Sequence, residues 1–115
     1  MTPLDNTTVN GSGITSAAAF SQVYDTSRAD HVSFQVTTSG ASAASLTISQ
    51  SNDGVTYLTI SAQTVTISSS SSLTSLLYVP ADPKTKWTKI TFTVTTGTAA
   101  ISITDFQSSV SLTTN

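Results

Sequence analysis

Apolar residues recur at every second position in short runs along this chain. The clearest are Val32-Phe34-Val36, Leu46-Ile48, Leu58-Ile60-Ala62, Val65-Ile67, Leu77-Val79, Ile90-Phe92-Val94 and Ile101-Ile103. A period of two places each set on one face of a sheet, so these runs predict strands with one buried side. A first strand over 20–24 opens the series, and Val110 with Leu112 closes it, giving about eight or nine strands at near-regular spacing. No interval keeps a helical period over the roughly ten residues that a helix needs. The expected fold is all-β: a single antiparallel sandwich, jelly-roll-like by strand count, with an immunoglobulin-like connection order as the alternative.

Turn residues divide the runs. Ser39-Gly40-Ala41-Ser42 reads as a small-residue loop, and Gly97 turns the chain between two late strands. The serines at 68–72 offer nothing to bury and read as an exposed loop, and Pro80 and Pro83 end a strand because proline cannot donate to a ladder. Asn52-Asp53-Gly54 between alternating runs predicts a tight hairpin over 44–60, with Asn52 closing a side-chain turn. Residues 1–16 lack a sustained period and contain Pro3, Gly11 and Gly13. They read as an extended amino-terminal arm ahead of a sandwich domain over 17–115, with Leu4, Val9 and Ile14 as isolated apolar residues able to dock on a partner. The expected core is Phe34, Val36, Leu46, Ile48, Ile60, Ile90, Phe92, Val94, Ile101 and Ile103.

Composition sharpens this picture. Ser and Thr occupy 44 of 115 positions, Glu is absent, and Lys plus Arg number four. Strand outer faces should therefore carry hydroxyls rather than charge, and Thr, being β-branched, suits a pleated surface. A chain of 115 residues suffices for one core but not for two, so one domain is expected. The net charge of −2 leaves little repulsion against association, and so few cations argue against nucleic acid as a partner, since phosphate binding needs a basic stripe. No cysteine is present, so stability must come from packing or partners. The amino terminus has no basic segment or apolar run, and no stretch approaches the roughly 20 apolar residues that span a bilayer, so the chain reads as complete, soluble, unprocessed and without a membrane partner. The sequons at Asn6 and Asn10 read as chance in a Ser/Thr-rich sequence.

Candidate chemistry is sparse. The titratable set is Asp5, Asp25, Asp30, Asp53, Asp82, Asp105 and His31. Asp30 beside His31 fails as an orienting pair because adjacent strand residues point to opposite faces. No G-x-S-x-G elbow, P-loop or H-E-x-x-H pattern occurs, so neither an enzyme nor a cofactor is expected. Ser51-Asn52-Asp53-Gly54 resembles the start of a calcium loop but lacks the further carboxylates, and a lone histidine makes no zinc site, so no metal is expected. The segment from Lys84 through Lys86, Trp87 and Lys89 holds three of the four cations and the only tryptophan. It reads either as edge protection, with lysines on an exposed strand and Trp87 in the core, or as a contact for an acidic partner with Trp87 as anchor. Tyr24, Tyr57, Tyr78 and Trp87 together form a third possibility, a surface that stacks on sugar rings.

The stretch from Ser45 to Tyr57, a strand running into Ser51-Asn52-Asp53-Gly54 and then an aromatic, resembles a hairpin of small β proteins in tailed-phage and other bacterial-virus particles. Trp87-Thr88-Lys89-Ile90-Thr91-Phe92-Thr93-Val94 followed by Ala99-Ala100-Ile101-Ser102-Ile103 is similar to the paired strands that close such domains. A related turn occurs in discoidin-type carbohydrate- or lipid-binding domains, from which this chain departs by its length and its lack of a cysteine pair. The virion resemblance implies a non-enzymatic capsid decoration, cement, minor capsid or tail-associated protein located in the virion. It implies contacts with capsid or tail proteins and a homo-oligomer, with a trimer preferred. The alternative is a carbohydrate- or receptor-binding module, tail-associated or extracellular.

Overall fold

A computed structural model describes residues 2–68, 73–80 and 85–109. The fold is all-β, and the described residues form eight strands in one antiparallel sheet and a single 3-10 turn at Ser61–Gln63. The strands are β1 (Thr2–Asp5), β2 (Thr8–Ile14), β3 (Phe20–Asp25), β4 (His31–Ser51), β5 (Leu58–Thr59), β6 (Val65–Ile67), β7 (Leu73–Pro80) and β8 (Trp87–Ser109).

Two very long strands organise the rest. β4 and β8 pair along their whole lengths, from His31↔Ser108 to Ser51↔Trp87. The first part of β8 carries β3 on its other side, while the second part carries β2 and β1. β4 is flanked by β7 over 31–38, then by β6 over 44–46 and β5 over 49–50. The sheet folds over midway. The backbone amide of Thr26 donates to the Lys86 carbonyl at 2.9 Å and that of Asp30 to the Ser108 carbonyl at 2.8 Å. A four-residue span therefore bridges both ends of β8, holding them within about 20 Å, whereas a straight strand of that length would separate them by roughly 70 Å. Tyr24 on β3 accordingly packs on Phe34 of β4, with ring centroids 5.1 Å apart. The result is the expected sandwich with an unexpected construction: both central strands run through both layers. An immunoglobulin sandwich instead divides its strands between two sheets.

The fold-over lies at Gly40 and Gly97. The β4–β8 register shifts three times between Ser39 and Ala44, with one extra residue on β8, which is a bulged corner of the kind that lets strands pass from layer to layer. Gly40 has φ +90° and Gly97 φ +101°, and the two backbones meet there. A Cβ on Gly97 would lie 2.8 Å from the Gly40 carbonyl oxygen, and one on Gly40 would collide with the Thr98 carbonyl. The extra residue also switches the phase of alternation. On β8 the buried apolar positions are Ile90, Phe92 and Val94 before the corner, then Ala99, Ile101 and Ile103 after it. Without that switch the second half of β8 would turn its apolar side to water.

Several expectations change. The runs at 32–36 and 46–48 belong to one strand, as do those at 90–94 and 101–103, because Gly40 and Gly97 bend the ladder rather than ending it. Residues 2–14 are not a separate arm: β1 and β2 pair with β8, Ile14 is in the core, Leu4 packs against it, and Val9 is half-buried opposite Ile103. The expected boundary at residue 16 therefore cuts through one continuous sheet. The polar, glycine-containing sequence there is that of an edge strand with little side-chain bulk to bury. The hairpin over 44–60 exists but pairs only Ser49↔Thr59 and Gln50↔Leu58, with a six-residue loop in place of the tight turn. Leu58 is 74% exposed, Ala62 is exposed, and Ile60 only packs against the core. The other nine expected core residues are all buried. The serines at 69–72, Pro83, Val110 and Leu112 lie outside the described residues.

The corner and the core give two expected outcomes. Gly97→Ala and Gly40→Ala should each lower stability by at least about 1 kcal/mol, since both positive φ and backbone contact oppose a side chain. Phe92→Ala, at a fully buried site, should cost roughly 3–5 kcal/mol. Urea unfolding checks all three, and wild-type stability in the glycine variants would contradict the corner.

Candidate functional site

Folding the sheet brings both ends of β8 to one end of the molecule, opposite the glycine corner. Every described charged residue is at or near this open end: Asp5, Asp25, Arg28, Asp30, Asp53, Lys86, Lys89 and Asp105. Stretches 8–20, 33–50 and 90–104, which run through the corner, contain no charged residue. The outward positions carry mostly Ser and Thr in cross-strand rows, such as Ser21–Thr91–Thr47 and Ser102–Thr37, the latter continued by Asn10.

The loop after β4 is built by short polar side chains. The Ser51 hydroxyl accepts from the Asp53 and Gly54 amides and donates to Asp53 Oδ1, which also accepts from the Val55 and Thr56 amides at 2.8 Å. Those amides, Val55 first, and then the Ser51 hydroxyl hold the Asp53 carboxyl below its ordinary range. Asn52 does not close its own turn. Its Oδ1 accepts from the Lys86 amide at 3.1 Å, tying this loop to the start of β8.

That tie seats Trp87. Gly54 lies against the indole, and a Cβ there would come within 3.1 Å of Nε1, so the φ +76° glycine serves both the loop and the ring. Lys86 Nζ sits 5.5 Å from the Trp87 ring centroid, and Lys89 Nζ lies 4.2 Å from that of Tyr57. Trp87, Lys89 and Tyr57 are half-buried and Lys86 is exposed. Val23 on β3, 43% exposed, is directly across from Lys89, and Val55 in the loop is 84% exposed. With Leu58 these are the exposed large hydrophobics among the described residues, and all are at this end. Beside the loop runs a groove of about 410 Å³ lined by residues including Gln50, Asn52, Leu58, Ile60 and Thr85.

The edge-protection reading therefore fails at Lys89. β8 lies between β3 and β4, so Lys89 is on a central strand, and Trp87 points outward while its neighbour Thr88 fills the core position. Lys86, Trp87 and Lys89 do come together, and Lys84 lies outside the described residues. Leu4, Val9 and Ile14 are engaged with the chain's own sheet. Of the four aromatics considered for sugar stacking, Tyr57 and Trp87 share the patch, Tyr24 is buried, and Tyr78 is on β7.

A second polar centre was not singled out from the sequence. Asp105 is fully buried, and its Oδ1 accepts from the Thr7 amide and hydroxyl at 3.0 and 2.8 Å, while Oδ2 accepts from Gln107 Nε2. Its signal was present: Asp105 and Gln107 continue the inward phase of Ile101 and Ile103.

No family model matches the chain, and no curated protein matches it. Solved structures share its fold at low identity. The PBSX exported protein XepA aligns with TM-score 0.68 at 11% identity over all of this chain, which spans only 42% of XepA. A protein of the disulfide-linked pili that form Bacillus endospore appendages aligns at 0.55 and 14% identity over 96% of this chain and 90% of its own. A structure of a CBM4 carbohydrate-binding module aligns at 0.53 and 17% identity over 78% and 61%. These likenesses describe a fold found in phage-exported, appendage and carbohydrate-binding proteins.

The seating of the indole is directly testable. Gly54→Ala should displace Trp87 and shift the emission of this sole tryptophan to the red as the ring gains water. An unchanged spectrum would separate the ring from the loop.

Proposed function

We propose that this chain is a non-enzymatic structural component of a virion or an extracellular appendage, acting through protein–protein contacts at its open end. The carrying observation is the patch of Trp87, Tyr57, Val23 and Val55 bordered by Lys86 and Lys89. Aromatic anchors with a cationic rim are the composition of interaction hot spots, and exposed apolar groups gathered at one end favour an interface over a solvated surface. A capsid decoration, cement or minor capsid role fits a chain whose surface hydroxyls and low net charge permit close packing of copies, with a homo-oligomer, a trimer by preference, as its working form. The partners are capsid, tail or appendage proteins carrying carboxylates to meet the lysines, and nucleic acid is disfavoured by the scarcity of cations. Disulfide linkage is closed to a chain without cysteine.

A second reading, a carbohydrate-binding module, is favoured by the presence of Tyr57 and Trp87 in one patch and by the fold likeness to the CBM4 structure. One experiment separates the two. The tagged chain is isolated from its source with whatever assembly it joins and mapped by lysine cross-linking. Cross-links from Lys86 or Lys89 to particle or appendage proteins, lost in Trp87→Ser, support the structural reading. A free monomer that gives a clear hit on a glycan array contradicts it.

A further inference from the structure

Thr7, at the junction of β1 and β2, is held against Asp105 near the end of β8. The Asp105 amide donates to the Thr7 carbonyl at 3.0 Å, and the Thr7 amide donates to Asp105 Oδ1 at 3.0 Å. The Thr7 hydroxyl donates to the same Oδ1 at 2.8 Å. On the other side of the carboxylate, Oδ2 accepts from Gln107 Nε2 at 3.2 Å. A carboxylate only accepts, so the nitrogen of the Gln107 side chain, not its oxygen, faces Asp105. Asp105 is 0% and Gln107 3% exposed, which shields their contact from water.

One carboxylate thus holds a hydroxyl on one oxygen and an amide nitrogen on the other. Acyl transfer from nitrogen to oxygen needs such a group: a base within hydrogen-bond reach of the nucleophile that can pass the proton on to the leaving group. Ser27 and Ser51 also donate to aspartates, at 2.7 and 2.8 Å, but Asp25 and Asp53 are exposed and bind backbone amides instead. Gln107 also lines a cavity of about 180 Å³ that opens to solvent, an exit for a small product. From β3, the Tyr24 hydroxyl is buried without a partner. Burial first, and then the charges of Asp105 and Asp5, raise its ionisation and leave it a donor.

We propose that Thr7 and Gln107 join in an ester cross-link that the chain forms by itself, with Asp105 as general base. The proton of Thr7 Oγ passes to Asp105 as Oγ bonds to Gln107 Cδ, and the carbonyl electron pair moves onto Oε1. That pair then returns, the Cδ–Nε2 bond breaks, and Asp105 gives the proton to the departing nitrogen. One ammonia leaves and the carboxylate is restored, with no oxidant or co-reactant consumed. Backbone contacts fix Thr7 to Asp105, so the approach of Cδ to Oγ falls to the Gln107 side chain. Holding both groups on one base raises their effective concentration, and loss of ammonia to solvent draws the exchange forward. The bond closes the chain from residue 7 to residue 107, tying the β1–β2 junction to the end of β8 in a protein that has no cysteine for a disulfide. Its formation does not depend on the function proposed above, although a particle or appendage subunit under load would benefit from it.

The mass of the purified, denatured chain tests this. After incubation at neutral pH, the wild type should be lighter than its sequence by one ammonia, about 17 Da. Trypsin, cutting after Arg28 and Lys89, should then release residues 1–28 joined to residues 90–115. Thr7→Val removes the nucleophile and Gln107→Glu the ammonia, so both should keep their full mass, while Thr7→Ser should still show the loss. A wild-type chain of full sequence mass overturns the proposal. So does a loss confined to one peptide, such as a cyclic imide at Asn10 or Asn52, or a loss that persists in Thr7→Val. The wild-type mass and its tryptic peptides decide the matter even where a variant fails to fold.

Discussion

The close crossing of β4 and β8 at Gly40 and Gly97 determines the rest of the architecture. The two backbones meet where neither can carry a Cβ, and the extra residue on β8 bends the ladder without breaking it. Every later feature depends on that bend. It makes two layers from one sheet, it restores the apolar phase of β8 so that Ile101 and Ile103 face the same core as Ile90 and Phe92, and it brings Trp87 and Ser108 to one end. A small protein without disulfides thereby closes a core using two central strands rather than many short ones.

Charge follows the same geometry. The corner half is free of charged residues and rich in Ser and Thr, while the described aspartates and lysines and Arg28 collect where the strands begin and end. Desolvating neutral hydroxyls costs much less than desolvating ions, so the corner half tolerates close neighbours. The open end holds the directional features: an aromatic patch with lysines over its rings on the outer face, and a buried aspartate, Asp105, whose hydrogen bonds with Asn6 and Thr7 tie down the amino terminus. A single fold thus separates an uncharged surface from one that carries the charge and the exposed aromatics.

The strands were legible in the sequence because period two is a local signal, and nine of the ten residues expected in the core are there. Their connectivity was not. Ser39-Gly40-Ala41-Ser42 has the composition of a loop, yet Gly40 sits inside a strand, because a positive φ serves a bend within a ladder as well as a reversal. Only the pairing with residues far along the chain decides between them. The amino-terminal segment was misread for a related reason, since an edge strand borrows its stability from its neighbour and shows little period of its own. Trp87 looked like core by residue type, but its phase relative to Ile90 and Phe92 puts it outside. Asp105 could have been found by the same phase argument, as an acid at an inward position, while its partners Asn6 and Thr7 are set by tertiary structure alone.

The fold-over of β8 can be measured as one distance. Because the chain lacks cysteine, Lys86→Cys and Ser109→Cys introduce the only two labelling sites, and pulsed electron spin resonance reads the separation of spin labels attached there. A sheet folded at Gly40 and Gly97 predicts a distribution centred below about 35 Å, allowing for the length of the labels. A strand continuing straight would place them roughly 70 Å apart, and that result would contradict the account.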